Sequence, residues 1–74
     1  MRVQRSKRLE NIWYRADTDL RTFVNHLGVD PRPVGVLESK VRPGTREEFV
    51  GGYWVIWEVD ESGSETIIRV TISD

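Results

Sequence analysis

The sequence predicts an α+β fold: one small domain in which an antiparallel sheet of three to four strands carries a single helix on one face. Three observations predict it. Leu20, Phe23, Val24 and Leu27 recur at the spacing of one helical stripe. The second half of the chain alternates apolar and polar residues at the period of a strand. The length, 74 residues, suffices for one core only, and a domain of this size buries about 60–65% of the surface that its unfolded chain exposes.

Taking the elements in order, the first eight residues, "MRVQRSKR", are polar and cationic and are read as a basic flexible arm (1–8), with the domain itself spanning 9–74. The next stretch, "RLENIWYRA", fits two readings. Its Ile-Trp-Tyr cluster favours a short strand, whereas Leu9, Ile12, Trp13 and Ala16 also form a helical stripe, so the order is βαβββ or, alternatively, ααβββ. "TDLRTFVNHLG" is a helix over 18–27, with Asp17 or Thr18 to cap its start and Gly28 to close its end. Pro31 and Pro33 in "VDPRPVG" then stop it, because proline has no amide donor and disfavours helix at the residue before it. "VGVLESKV" (34–41) reads as a strand leading into "RPGT", where Pro43 and Gly44 suit the centre of a type II turn. Residues 49–60 read as the next strand, "ESGS" (61–64) as a hairpin loop, and "ETIIRVTIS" (65–73) as the last strand of a three-stranded meander.

Cysteine is absent, so neither disulfides nor thiolate metal sites supplement the core, and a cytoplasmic location is expected. No apolar run is suited to a signal sequence or a membrane span. Net charge is −1, but the charges are sorted. Residues 1–15 hold five cations against Glu10, a net +4, and residues 47–74 hold seven carboxylates against Arg69, a net −6. Folding either brings the two ends together and cancels them, or leaves a dipole with faces suited to different partners.

The segment "FVGGYWVIWEVD" (49–60) carries large apolar side chains on both alternating faces. Read as one strand, it sends Phe49, Tyr53, Val55, Trp57 and Val59 toward the helix and Val50, Trp54, Ile56 and Glu58 the other way. Either the arm or the 42–48 loop folds over Trp54, or Trp54 and Ile56 form an exposed patch rimmed by charge, a surface that suits a protein contact. Gly51 and Gly52 beside it allow a bulge or the close approach of another backbone.

Signals for chemistry are sparse. His26 is the one histidine, in the last turn of the helix, where a cation is favoured, and it reads as a terminal surface residue. Glu47 and Glu48, and likewise Glu58, Asp60 and Glu61, lack the spacing of a calcium loop and read as a solvated acidic edge. The glycines of "GVDPRPVG" and "VGG" lack the context of a phosphate loop. The expectation is a protein that is not an enzyme, with no cofactor and no metal.

Two resemblances bear on this. "GYWVIWEVDESGSETIIRV" (52–70) resembles the closing hairpin of the RelE-type ribosome-dependent ribonucleases. Trp54 stands where that family usually has arginine, the expected fold has one helix where the family has a helical hairpin, and no basic or tyrosine-bearing tail follows the hairpin, so no activity is carried over. In architecture, the arginine-rich start, the capped helix and the acidic, aromatic strand are similar to the small host-takeover proteins of bacterial viruses, which include inhibitors that bind bacterial RNA polymerase. That resemblance implies a monomeric protein that binds a large host complex in the bacterial cytoplasm and regulates or inhibits transcription. Trp54 and Ile56 would be its apolar anchors, and Arg5, Lys7 and Arg8, or the acidic strand edge, would steer the encounter. The alternative is a small nucleic-acid-binding module in which the basic arm contacts phosphates and Trp13, Tyr14 or Trp54 stacks on bases.

Overall fold

The protein is described by a computed structural model covering residues 1–74. Its elements are β1 (Arg2–Arg5), α1 (Lys7–Ile12), a single 3₁₀ turn (Trp13–Arg15), α2 (Thr18–Leu27), β2 (Thr45–Val50), β3 (Tyr53–Asp60) and β4 (Ile67–Ser73). They form one sheet in the order β1-β4-β3-β2. The α+β class holds, with two helices, and the sheet is mixed: β2, β3 and β4 run antiparallel, while β1 lies parallel to β4.

The N-terminal segment is a strand where an arm was expected. Arg2 to Arg5 pair with Ile67 to Val70, which places Val3 opposite Ile68 on the core side. Ser6 then turns the chain. Its backbone N–H donates to the Val70 carbonyl at 2.8 Å, its hydroxyl donates to Thr71 Oγ1 at 2.9 Å, and its Oγ accepts the Leu9 N–H at 3.2 Å as the N-cap of α1. Residues 9–15 are therefore helical and Ala16 is extended, with Leu9 fully buried and Trp13 8% exposed. The Arg21 guanidinium donates to the carbonyls of Trp13, Tyr14 and Ala16 and so satisfies the groups that the end of the 3₁₀ turn leaves free.

Helix α2 is as the spacing predicts, with Asp17 as its N-cap accepting the Asp19 N–H at 2.8 Å. Leu20, Val24 and Leu27 are buried against Val55, Trp57, Ile68 and Val70, and Phe23 meets Trp57 edge-on with ring centroids 5.5 Å apart. Trp57 is nearly fully buried, and its Nε1–H donates to the Pro31 carbonyl at 2.8 Å, tying the proline loop to the core. The expected strand over 34–41 does not form. This segment makes one isolated bridge, Glu38 to Arg46, and Val34, Leu37 and Val41 are exposed. The Pro43–Gly44 turn is present: Thr45 N–H donates to the Arg42 carbonyl at 3.1 Å, and Gly44 has φ +88°.

The single strand expected over 49–60 is two strands. Gly51 (φ +58°) and Gly52 (φ +90°) form a two-residue hairpin turn of the type that needs positive φ at both positions. The turn pairs Val50 with Tyr53 and Phe49 with Trp54. Phe49 thus lies on the face away from the helices and Val50 on the core side, the reverse of the expected assignment. The meander of three strands stands, with β2 as its first member.

Candidate functional site

Both helices cover one face of the sheet, and the opposite face holds the residues of interest. Along β3 that outer face carries Trp54, Ile56 and Glu58, opposed by Phe49, Glu47 and Thr45 of β2 and by Ser73, Thr71 and Arg69 of β4. At one end, Phe49 and Trp54 pack edge-to-face with centroids 5.4 Å apart and remain 58% and 43% exposed. Ile56 is 8% exposed and is a floor rather than a projecting anchor. The loop that follows the proline segment runs alongside: Ser39 N–H donates to the Thr45 carbonyl at 2.8 Å, and Ser39 Oγ accepts the backbone N–H groups of Val41 and Arg42. This loop borders Trp54 without covering it, which leaves a groove of about 470 Å³ whose walls include Leu37, Val41, Trp54, Glu47 and Glu48. A second concavity of about 280 Å³ crosses the middle of the same face, lined by Gln4, Arg42, Thr45, Glu58, Arg69 and Ile56 among others.

The expected steering cations are not gathered beside the aromatics. Arg5 lies on the helix side, its guanidinium 3.9 Å from the Trp13 ring centroid and bonded to Glu10 at 2.9 Å. Arg8 pairs with Asp74 at 3.3 Å, next to Ser73, the β4 partner of Trp54. Lys7 makes no ion pair. The charge sorting seen in the sequence is cancelled in part across the fold: Arg2 meets Glu65 and Arg8 meets Asp74, joining the cationic start to the acidic end, while Arg32 meets Glu61 and Arg69 meets both Glu58 and Asp60. Asp60 accepts the Ser62 hydroxyl and backbone N–H and then the Arg69 guanidinium, and these bonds hold its carboxyl well below the usual carboxylate range.

Of the three aromatics expected to stack on bases, Trp13 is buried beneath Arg5, whereas Tyr14 is 92% exposed and Trp54 is open. His26 lies in the last turn of α2, as expected. No group of three or more His, Cys, Asp or Glu side chains is arranged to hold a metal ion, and no helix is long and apolar enough to cross a membrane. Phe49, Leu37 and Val41 are the members of the exposed patch that sequence periodicity assigned elsewhere. The signal that finds Phe49 is the Gly-Gly pair read as a hairpin turn. Compared with known proteins, the chain matches no family model, no curated protein and no solved structure.

Proposed function

We propose that this chain is a non-enzymatic protein-binding regulator or inhibitor of a larger host machine, with the outer sheet face as its contact surface. One observation carries the reading: the Phe49–Trp54 pair, with both rings substantially exposed and with the exposed Leu37 and Val41 beside Trp54. Tryptophan is among the residue types that dominate binding energy at protein interfaces, and aliphatic side chains grouped with it on an uncovered face extend the apolar patch. Bacterial RNA polymerase is the partner this proposal tests first, on the strength of the architectural resemblance alone. The nucleic-acid alternative has less behind it, because Arg2, Arg5 and Arg8 are all engaged with carboxylates and Trp13 is buried.

The test is direct binding to purified bacterial RNA polymerase, alongside affinity capture from a bacterial lysate, comparing the parent with a Phe49→Ala/Trp54→Ala variant of unchanged melting temperature. The parent is expected to retain a protein partner, and the variant to lose about 2 kcal/mol or more of binding. Equal retention by both, or tight and salt-sensitive binding of naked nucleic acid undiminished in Trp54→Ala, overturns the reading.

A further inference from the structure

The seven carboxylates of residues 47–74 fall into two sets. Those from Glu58 onward, namely Glu58, Asp60, Glu61, Glu65 and Asp74, are all ion-paired with arginine. Glu47 and Glu48 are not, although Arg42 and Arg46 lie in the same stretch of chain. Both border the groove beside Trp54, where Glu38 is the third carboxylate and Lys40 the one cation. Glu38 is already engaged through Oε1, which accepts the Gly44 N–H at 3.2 Å. The groove is therefore apolar along Leu37, Val41 and Trp54 and negative at Glu47, on the Trp54 face of β2, and at Glu48, the next position along this edge strand.

We infer that this groove takes an extended cationic segment of a protein partner, one that carries lysine or arginine beside aliphatic side chains. The inference rests on the protein-binding reading above and gives that site's partner its chemistry. A wholly apolar occupant would cover Trp54 but strand two carboxylates without partners, and burying an unpaired charge is strongly unfavourable. A polyanion would be repelled by the same two groups. A segment with cations spaced among aliphatic residues meets both demands: its side chains fill the space between Leu37, Val41 and Trp54, and its charges meet Glu47 and Glu48.

The probe is a synthetic peptide of the repeating pattern Lys-Leu-Lys-Val, with a Glu-Leu-Glu-Val peptide of equal length as control, each titrated into the isotope-labelled full chain at low salt, where surface charge is least screened. The lysine peptide should shift the amide resonances of Leu37, Val41, Glu47 and Glu48 and the indole resonance of Trp54, and the glutamate peptide should leave them in place. Glu47→Gln/Glu48→Gln should weaken the lysine peptide by about ten-fold, equivalent to about 1.4 kcal/mol. Shifts mapping elsewhere, equal binding of the two peptides, or undiminished binding to the double glutamine variant overturns the inference. The two readings fail separately. If Phe49→Ala/Trp54→Ala abolishes capture of the natural partner while Glu47→Gln/Glu48→Gln does not, the surface remains a protein site and the charge assignment falls. If neither variant affects capture, the surface itself is wrong.

Discussion

Two single side chains, one in the core and one at the surface, make contacts that bear on stability. The Trp57 indole N–H is the donor to the Pro31 carbonyl, in a site closed to water. Trp57→Phe leaves that carbonyl without a partner as well as leaving a gap. The expected cost is about 1–3 kcal/mol for the lost bond, with a further loss from the gap, read by urea denaturation. The second is Asp60. Its carboxyl ionises more readily in the folded chain because Ser62 and Arg69 bond to the charged form. The folded state then binds fewer protons than the unfolded one, so this contribution to stability is present above about pH 4 and is lost as pH falls through the lower folded-state value. Asp60→Asn should accordingly lose less melting temperature than the parent on acidification below about pH 4. Parallel curves for the two proteins would show that the carboxyl is not linked to folding.

At the scale of elements, the β2–β3 hairpin is set by its turn and by what the turn touches. A Cβ on Gly51 would lie 3.0 Å from Leu20 Cβ and 3.2 Å from Asp17 Cβ, both close to the backbone of α2, whereas a Cβ on Gly52 would meet nothing within 4 Å. Asparagine tolerates positive φ better than other residues with a side chain. Gly52→Asn should therefore cost less than about 1 kcal/mol, while Gly51→Asn, with the same backbone demand and no room, should cost clearly more. Thermal melting of the pair measures the difference, and equal melting would mean that α2 does not press on the turn. The same turn decides the candidate site, because a two-residue connection pairs Phe49 with Trp54, whereas an uninterrupted strand would have placed Phe49 with Tyr53 on the helix side.

Across the whole molecule, the N-terminal strand joins the two ends of the chain. Val3 packs against the core, Arg5 covers Trp13, and Ser6 both caps α1 and bonds to β4. The exposed ion pairs Arg2–Glu65 and Arg8–Asp74 add little stability each, about 0–1 kcal/mol. Their larger consequence is electrostatic, since they bring two cations of the basic start against two carboxylates of the acidic end and so reduce the dipole that the sorted sequence implies. Deleting residues 2–5 takes away a strand, a core side chain and the cover of Trp13 together, so the cooperative melting transition followed by circular dichroism should be lost. An intact transition would return the segment to the status of a dispensable arm. Lowering ionic strength should restore no fold to the deletion variant, because the missing stabilisation is mainly packing and backbone pairing rather than charge.

What the sequence by itself determined is local. The helix over 18–27, its Asp17 cap, the Pro43–Gly44 turn, the β4 strand and the core face of Val55, Trp57 and Val59 follow from periods and caps that span a few residues each. The tertiary structure alone decided the rest. Residues 9–16 fit a strand and a helix equally well by spacing, and the choice lies with the Ser6 cap, held in place by Val70 and Thr71 from the far end of the chain. Val3 is the one aliphatic side chain within β1, too little for a pattern, and the strand forms because β4 offers it a parallel partner. Residues 34–41 carry a strand-like pattern but make only one bridge, so Val36 packs against the core while Leu37 and Val41 stay at the surface beside Trp54. Pairing between distant segments is specified by shape and backbone hydrogen bonding across the whole fold, and a short window of sequence holds no record of which distant edge will be free to accept it.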